Sequence, residues 1–233
     1  MHRRRNRRVH RTLLRRRRIM GKRKGDEMEK VIVKRRIEVV KGDIVNQDVD
    51  VIVNAAHEGL TGGGGVDGAV HRAAGQKMTG ECLNFNVDRY GERCPVGECR
   101  MTSGYDLKAK YILHAVGPVW RGGEHNEKKD LYNCYTNCLD MADSQGLVSI
   151  AFPCISTGAF CFPKELAARM AFEACKEWYD NFGNFRNTSI ETIRFVCFDG
   201  ADHGVLNLDK DSDYEAYMEL MPDGYYQGVF DIE

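Results

Sequence analysis

Few residues of this chain have both the type and the spacing to do chemistry, and most of them fall between Asn54 and Gly75. Four consecutive glycines, Gly62 to Gly65, lead into Val66 to Ala74, whose small and apolar spacing predicts a packed helix. A glycine run that opens a helix lets the backbone approach a ligand and points free N–H groups at it. The helix N-terminus adds partial positive charge, so a phosphate or pyrophosphate is the guest such a turn suits. Asp67 is the one acidic side chain inside it. Its charge would repel a neighbouring phosphate, so it needs a separate reason to be there.

The strand feeding this loop is Val51 to Val53, β-branched and uncharged, with Asn54 to Thr61 expected as loop. A formal Gly-x-Gly-x-x-Gly match falls on Gly63, Gly65 and Gly68, the pattern of dinucleotide-binding turns. In those turns the first glycine follows the strand almost directly, and an acidic residue ends a second strand about twenty positions on. Here seven residues separate Asn54 from Gly62, and Asp88 lies in the polar stretch Asn84 to Arg93. The surroundings argue against a dinucleotide turn.

A second strand–loop–helix unit positions the remaining groups. Val148 to Cys154 is free of charge, as in a strand covered on both faces, and runs into Ile155-Ser-Thr-Gly-Ala-Phe160. An amphipathic helix over Pro163 to Phe182 follows, with Pro163 suited to the first turn. Ligands of open α/β sheets sit outside the carboxyl ends of the strands. Two facing glycine-bearing loops would therefore clamp a diphosphate between the N–H groups of Gly63, Gly64, Gly65 and Val66 and those of Thr157, Gly158, Ala159 and Phe160. Ser156 lacks the Gly-x-Ser-x-Gly elbow and an evident histidine base, so it reads as a phosphate donor rather than a nucleophile.

The other elements alternate in the manner of an α/β fold. Val31 to Val40 is expected as a first strand, at the sheet edge because charges interrupt it at Lys34 to Arg36. Gly42-Asp43-Ile44 ends it, and Asp43 there can cap the short turn Ile44 to Asn46. Gln76 to Asn86 and Glu127 to Gln145 are expected as helices, and Cys99 to Gly104, Tyr111 to Val116 and Ile193 to Phe198 as strands. His71 and His114 read as core histidines. The seven histidines, at 2, 10, 57, 71, 114, 125 and 203, show no metal-ligand spacing, so no metal or cofactor is expected.

Charge divides the chain sharply. The formal net charge is +0, yet residues 1 to 25 carry thirteen Lys and Arg and no acidic residue. Taking these thirteen from 34 basic residues leaves 21 against 34 acidic, a body of −13. Segment 1–27 is expected to be disordered, because like charges repel and few apolar residues offset them. It has neither a signal-peptide apolar core nor any serine. Either it tethers the protein to nucleic acid or an acidic surface, or the start is placed too far upstream, since Met20 and Met28 both lie close to the start of the domain at 28–233. No run is apolar enough for a membrane span. Nine scattered cysteines suit free thiols in a reducing cytoplasm.

The stretch Asn54-Ala-Ala-His57 through Gly62-Gly-Gly-Gly65-Val-Asp67-Gly resembles the macrodomain family, in the version of its MacroD-like subclass. Gly42-Asp43-Ile44, Cys94-Pro-Val-Gly97, Thr102-Ser-Gly-Tyr105, His114-Ala-Val-Gly-Pro118 and Ile155-Ser-Thr-Gly-Ala-Phe160 continue the resemblance in order, over roughly residues 31 to 220. It implies a three-layer α/β/α fold with a central mixed, largely parallel sheet, and binding of ADP-ribose or its esters. It also implies roles for residues: Asp43 and the Ile44 backbone at adenine, Phe198 stacking on the base, Phe160 beside the distal ribose, and Asn54 in the site. His57 stands where the family has the Asn that holds the distal ribose, and Cys161 where it usually has Gly.

Ester hydrolysis at the distal ribose needs a water, a group to orient or deprotonate it, and a place for developing negative charge. Asp67 is the candidate for the water, with the loop N–H groups for the charge. The alternative reading of Asp67 is a favourable helix N-terminal charge, worth about 0.3–1 kcal/mol. Two functions remain open: a hydrolase of O-acetyl-ADP-ribose or of mono-ADP-ribosylated acidic side chains, favoured by Asp67, and a non-catalytic ADP-ribose reader, favoured by His57. The insertion Gly200 to Ser212 could line the adenine end of such a cleft.

Overall fold

A computed structural model describes residues 35–183, 188–198, 212–220 and 229–232. The basic segment 1–27 and the insertion from Gly200 up to Ser212 lie outside the described residues. Among the described residues, seven strands form one sheet: β1 (Arg35–Lys41), β2 (Val51–Ala56), β3 (Cys99–Ser103), β4 (Tyr111–Val116), β5 (Ser149–Pro153), β6 (Thr192–Cys197) and β7 (Val229–Ile232). Their order is β3-β4-β2-β5-β6-β1-β7. The five inner strands run parallel, and β3 and β7 close the edges antiparallel. The expected mixed, largely parallel sheet is what the chain forms.

Helices cover both faces, and the period-2 alternation of the strands supplies each side. Val51 and Val53 of β2 and Ile150 and Phe152 of β5 face one way, with α3 (Glu127–Ser144), α4 (Lys164–Gly183) and α5 (Ser212–Met218) packed over them. Tyr135, Phe152, Phe195 and Tyr217 form an aromatic chain there, with centroid separations of 4.7 to 6.2 Å. Ile52, Ala151 and Ile112 face the other way, under α1 (Gly65–Ala74) and α2 (Gln76–Leu83), where Val70, Met78 and Cys82 are fully buried. Among the described residues no helix is long and apolar enough to cross a membrane.

Two expectations need correction. β1 is an inner strand, flanked by β6 and β7. Its charges are tolerated there because Glu38 pairs with Arg194 on β6 at 2.7 Å and with Arg36 at 3.5 Å. β2 also does not end at Val53. Parallel pairing with β4 continues through Asn54↔His114 to Ala56↔Val116, which carries Asn54 into the buried sheet.

Candidate functional site

The carboxyl ends of β2, β5, β6 and β1 emerge side by side at one edge of the parallel sheet. The loop after β2, His57 to Gly64, is pinned from within and from outside. Leu60 is fully buried at φ 52° and its N–H donates to His57 O at 3.0 Å. Glu58 O accepts from Arg93 N and Cys94 N, and Arg93 Nη1 donates to Gly59 O at 3.0 Å. Gly68 lets α1 meet this loop: a Cβ there would stand 2.4 Å from Gly63 O. Among the described residues, the N–H groups of Gly63, Gly64 and Gly65 have no acceptor, as expected at a helix start.

The loop after β5 is equally constrained. Ser156 takes φ 68° and is buried, with its Oγ lacking a hydrogen-bond partner among the described residues. That Oγ lies where a Cβ on Gly117 would meet it at 2.2 Å, so the glycine of Gly117-Pro118 makes room for it. No base touches Ser156. Thr157 Oγ1 donates to Cys154 O at 3.1 Å, Cys161 N to Gly158 O at 2.9 Å, and Phe162 N to Ser156 O at 3.0 Å. Cys161 adopts φ 54°, the left-handed conformation that glycine takes more readily. Gly158 and Ala159 are exposed, and the N–H groups of Gly158, Ala159 and Phe160 have no acceptor among the described residues.

Phe160 O accepts from Trp120 N at 2.8 Å, which ties this loop to the one after β4. Glu127 organises the latter by accepting from Arg121 N, Gly123 N and His125 N at 3.0, 3.1 and 2.6 Å. Burial alone would raise the Glu127 carboxyl, but these N–H bonds outweigh it and bring it down to about 2.

Asp67 lies on the first turn of α1 and is buried. Its Oδ1 accepts from Asn54 Nδ2 at 2.7 Å. The ring Nε2 of His71 stands 3.4 Å from the same oxygen, an electrostatic contact without hydrogen-bond geometry. Oδ2 has no partner among the described residues and lies 3.3 Å from the position a Gly63 Cβ would occupy. One carboxylate oxygen is thus held, and the other is turned toward the glycine loop with its lone pairs unused.

Two histidines belong to this arrangement. His114, fully buried, bonds Asn54 Nδ2 through Nδ1 at 3.1 Å and Thr102 Oγ1 through Nε2 at 2.9 Å, the satisfied core histidine that was expected. His71 is different: half-buried, it faces Asp67 and bonds Thr79 Oγ1 at 2.8 Å. Burial lowers its pKa, the Asp67 charge partly restores it, and His57 lowers it again. The core reading missed the placement, although Asp67 and His71 are four apart on one helix and so share a face.

His57 turns its ring into its own loop. Gly59 N–H donates to Nδ1 at 3.2 Å, while Nε2 stands 3.2 Å from Gly62 O and 3.1 Å from Thr61 Oγ1. Because Nδ1 accepts, the neutral ring carries its proton on Nε2. Both ring nitrogens are therefore engaged within residues 57–62.

At the far end, β1 and β6 stay in register to Lys41↔Cys197, so Asp43 and Phe198 leave the sheet together. Asp43 Oδ1 accepts from Val45 N at 3.1 Å and caps the turn Ile44–Asn46. Ile44 is buried, and Phe198 is 40% exposed at the edge of the cleft.

A family profile described as the Macro domain matches residues 53–171. A macro domain-containing protein of Listeria monocytogenes is 56% identical over 163 residues, 70% of this chain and 90% of that protein. An O-acetyl-ADP-ribose deacetylase of Citrobacter rodentium is 47% identical over 164 residues, 70% of this chain and 89% of that protein. Among solved structures, a mutant Oceanobacillus iheyensis macrodomain with ADPR superimposes with a TM-score of 0.66. It is 35% identical and covers 78% of this chain and 90% of its own.

Proposed function

The chain belongs to the macrodomain family, and we propose that it binds ADP-ribose and hydrolyses esters at the distal ribose, without a metal. The observation that carries this reading is the Asp67 carboxylate, held through Oδ1 by Asn54 and open at Oδ2 beside the glycine loop. In this reading the pyrophosphate lies between the N–H groups of Gly63 to Val66 and those of Thr157 to Phe160. Adenine lies between Asp43–Ile44 and Phe198. Asp67 Oδ2 accepts a proton from, or orients, the water that attacks the ester. The N–H groups of the two loops stabilise the charge that develops in the transition state. A relative named O-acetyl-ADP-ribose deacetylase and a related structure holding ADPR support the substrate class.

A second reading, a reader that binds without turnover, is favoured by His57, whose ring nitrogens bond inside the loop rather than standing free for a ribose hydroxyl. One experiment separates the two. Incubated with O-acetyl-ADP-ribose, a hydrolase releases ADP-ribose and acetate with multiple turnovers. Tight binding with no release over hours would establish the reader and exclude the hydrolase.

A further inference from the structure

Three residues from three elements converge behind Asp67: His71 on α1, Cys82 on α2 and His114 on β4. One ligand atom of each lies within 4.8 Å of the others. The separation of His114 Nε2 from Cys82 Sγ is 3.5 Å. A tetrahedral zinc with Zn–S of about 2.3 Å and Zn–N of about 2.0–2.1 Å requires an S···N edge of roughly 3.5 Å. That edge of the polyhedron is already present, and the His71 ring needs to close by up to about 1.5 Å to complete the face. Two imidazoles and a thiol suit zinc and not the oxygen-seeking magnesium or calcium. The groove between the glycine loop and the α1–α2 corner, about 440 Å³ and lined by Gly62, His71, Arg72, Gln76 and Thr79, opens onto His71 and supplies a way in.

We propose that His71, Cys82 and His114 bind a zinc-type dication, and that filling this site disarms Asp67. Without metal the thiol keeps its proton: burial first, then the charges of Asp67 and Glu81, push Cys82 up to about 12. A dication reverses that preference, so binding forms a Cys82 Sγ–metal bond and releases the thiol proton to solvent.

The coupling to Asp67 follows from one tautomer. Asn54 Nδ2 can only donate, so His114 Nδ1 must be an acceptor and the ring proton sits on Nε2, directed at Thr102 Oγ1. The Thr102 hydroxyl in turn donates to Ser103 O. A metal on Nε2 moves the ring proton to Nδ1, where it faces the Asn54 NH₂. Two donors then oppose one another. The amide must rotate to offer its oxygen, and its nitrogen leaves Asp67 Oδ1, which it had bonded at 2.7 Å. The metal therefore unlocks the carboxylate. This consequence for activity rests on the hydrolase reading, whereas the binding site itself does not.

The test is a Co²⁺ titration of the full chain, followed by the thiolate-to-cobalt charge-transfer band in the near ultraviolet and by competition with Zn²⁺. One ion per chain is expected, with the band lost in Cys82→Ser and kept in Cys154→Ser. The dissociation constant should rise roughly 10–100-fold in His114→Gln, a ligand mattering at least as much as an outer-shell partner. Thermal melts and ADP-ribose binding check that each variant is folded. No band in wild type, or a band retained in Cys82→Ser, overturns the site. In the activity arm, saturating Zn²⁺ should suppress ester hydrolysis by wild type and spare Cys82→Ser. Undiminished hydrolysis at saturation overturns the coupling. Absence of hydrolysis in metal-free protein would instead overturn the hydrolase reading, and the cobalt band then decides the site alone.

Discussion

Asn54 and Asp67 meet at 2.7 Å although they lie thirteen positions apart in the chain, the amide rising from the second half of β2 and the carboxylate from the first turn of α1. The bond fixes Oδ1, and Oδ2 has no partner among the described residues. Asp67→Ala is expected to abolish hydrolysis of O-acetyl-ADP-ribose while sparing ADP-ribose affinity, or raising it, because a negative charge near the pyrophosphate is removed. Single-turnover rates and calorimetry on the same variant check both halves. Turnover persisting in Asp67→Ala would move the water-activating role elsewhere.

His57 spans its loop through Gly59 N–H at Nδ1 and Gly62 O at Nε2. Asn is too short to hold both ends, so His57→Asn should loosen residues 58–62 while offering an amide to the ribose. Turnover is expected to stay equal or rise, since displacement of a bound group by about 1 Å can cost 10²-fold. Steady-state turnover of O-acetyl-ADP-ribose by the two proteins under identical conditions checks this. Lost activity in His57→Asn would assign the ring a part in the chemistry.

Phe198 follows the last residue of β6 and is exposed beside the turn that Asp43 caps. Phe198→Ala should weaken ADP-ribose binding by about 1–3 kcal/mol, the usual worth of stacking a base on an aromatic ring. An unchanged dissociation constant by calorimetry would shift the adenine platform away from β6.

Much of this was legible in the sequence. The glycine run before Val66-Asp67 and the charge-free Val148 to Cys154 announced two loops at strand ends, because glycine runs opening helices and buried parallel strands each leave a local pattern. The inner position of β1 was not legible: Lys34 to Arg36 suggested an edge, and only the partner Arg194, more than 150 residues away, makes Glu38 tolerable inside. The Asn54–His114 pairing was hidden for the same reason, since register between β2 and β4 is a tertiary fact. His71 could have been found, as its four-residue spacing from Asp67 is local. The grouping of His71 with Cys82 and His114 could not, because three elements bring them together.

Gly68 and Gly80 give a paired test of why one helix glycine is required and another is not. A Cβ on Gly68 would stand 2.4 Å from Gly63 O, backbone that cannot move without shifting the N–H groups of the glycine loop. Gly68→Ala should cost about 1–3 kcal/mol of stability and weaken ADP-ribose binding. Gly80, exposed on α2, has nothing within 4 Å of such a Cβ. Gly80→Ala should be stabilising by about 0.5–1 kcal/mol, with binding unchanged. Urea denaturation and calorimetry on both variants check the contrast.

His114 should make the fold acid-sensitive above the range in which carboxylates titrate. Burial first, and then the charge of His71, push its pKa down from 6.5 to about 3. The unfolded chain therefore takes up a proton near pH 6.5 that the folded chain refuses until about pH 3. Stability is complete above the higher value and falls as pH drops below it, by up to about 1.4 kcal/mol per pH unit for one such group. His71, also lowered, acts in the same direction. Between pH 6.5 and about pH 5, urea midpoints should fall for wild type and fall less for His114→Gln. If that variant does not fold, the His114 ring resonances of wild type decide: they should not titrate down to about pH 5, and a transition near 6.5 would show that the ring charges within the fold.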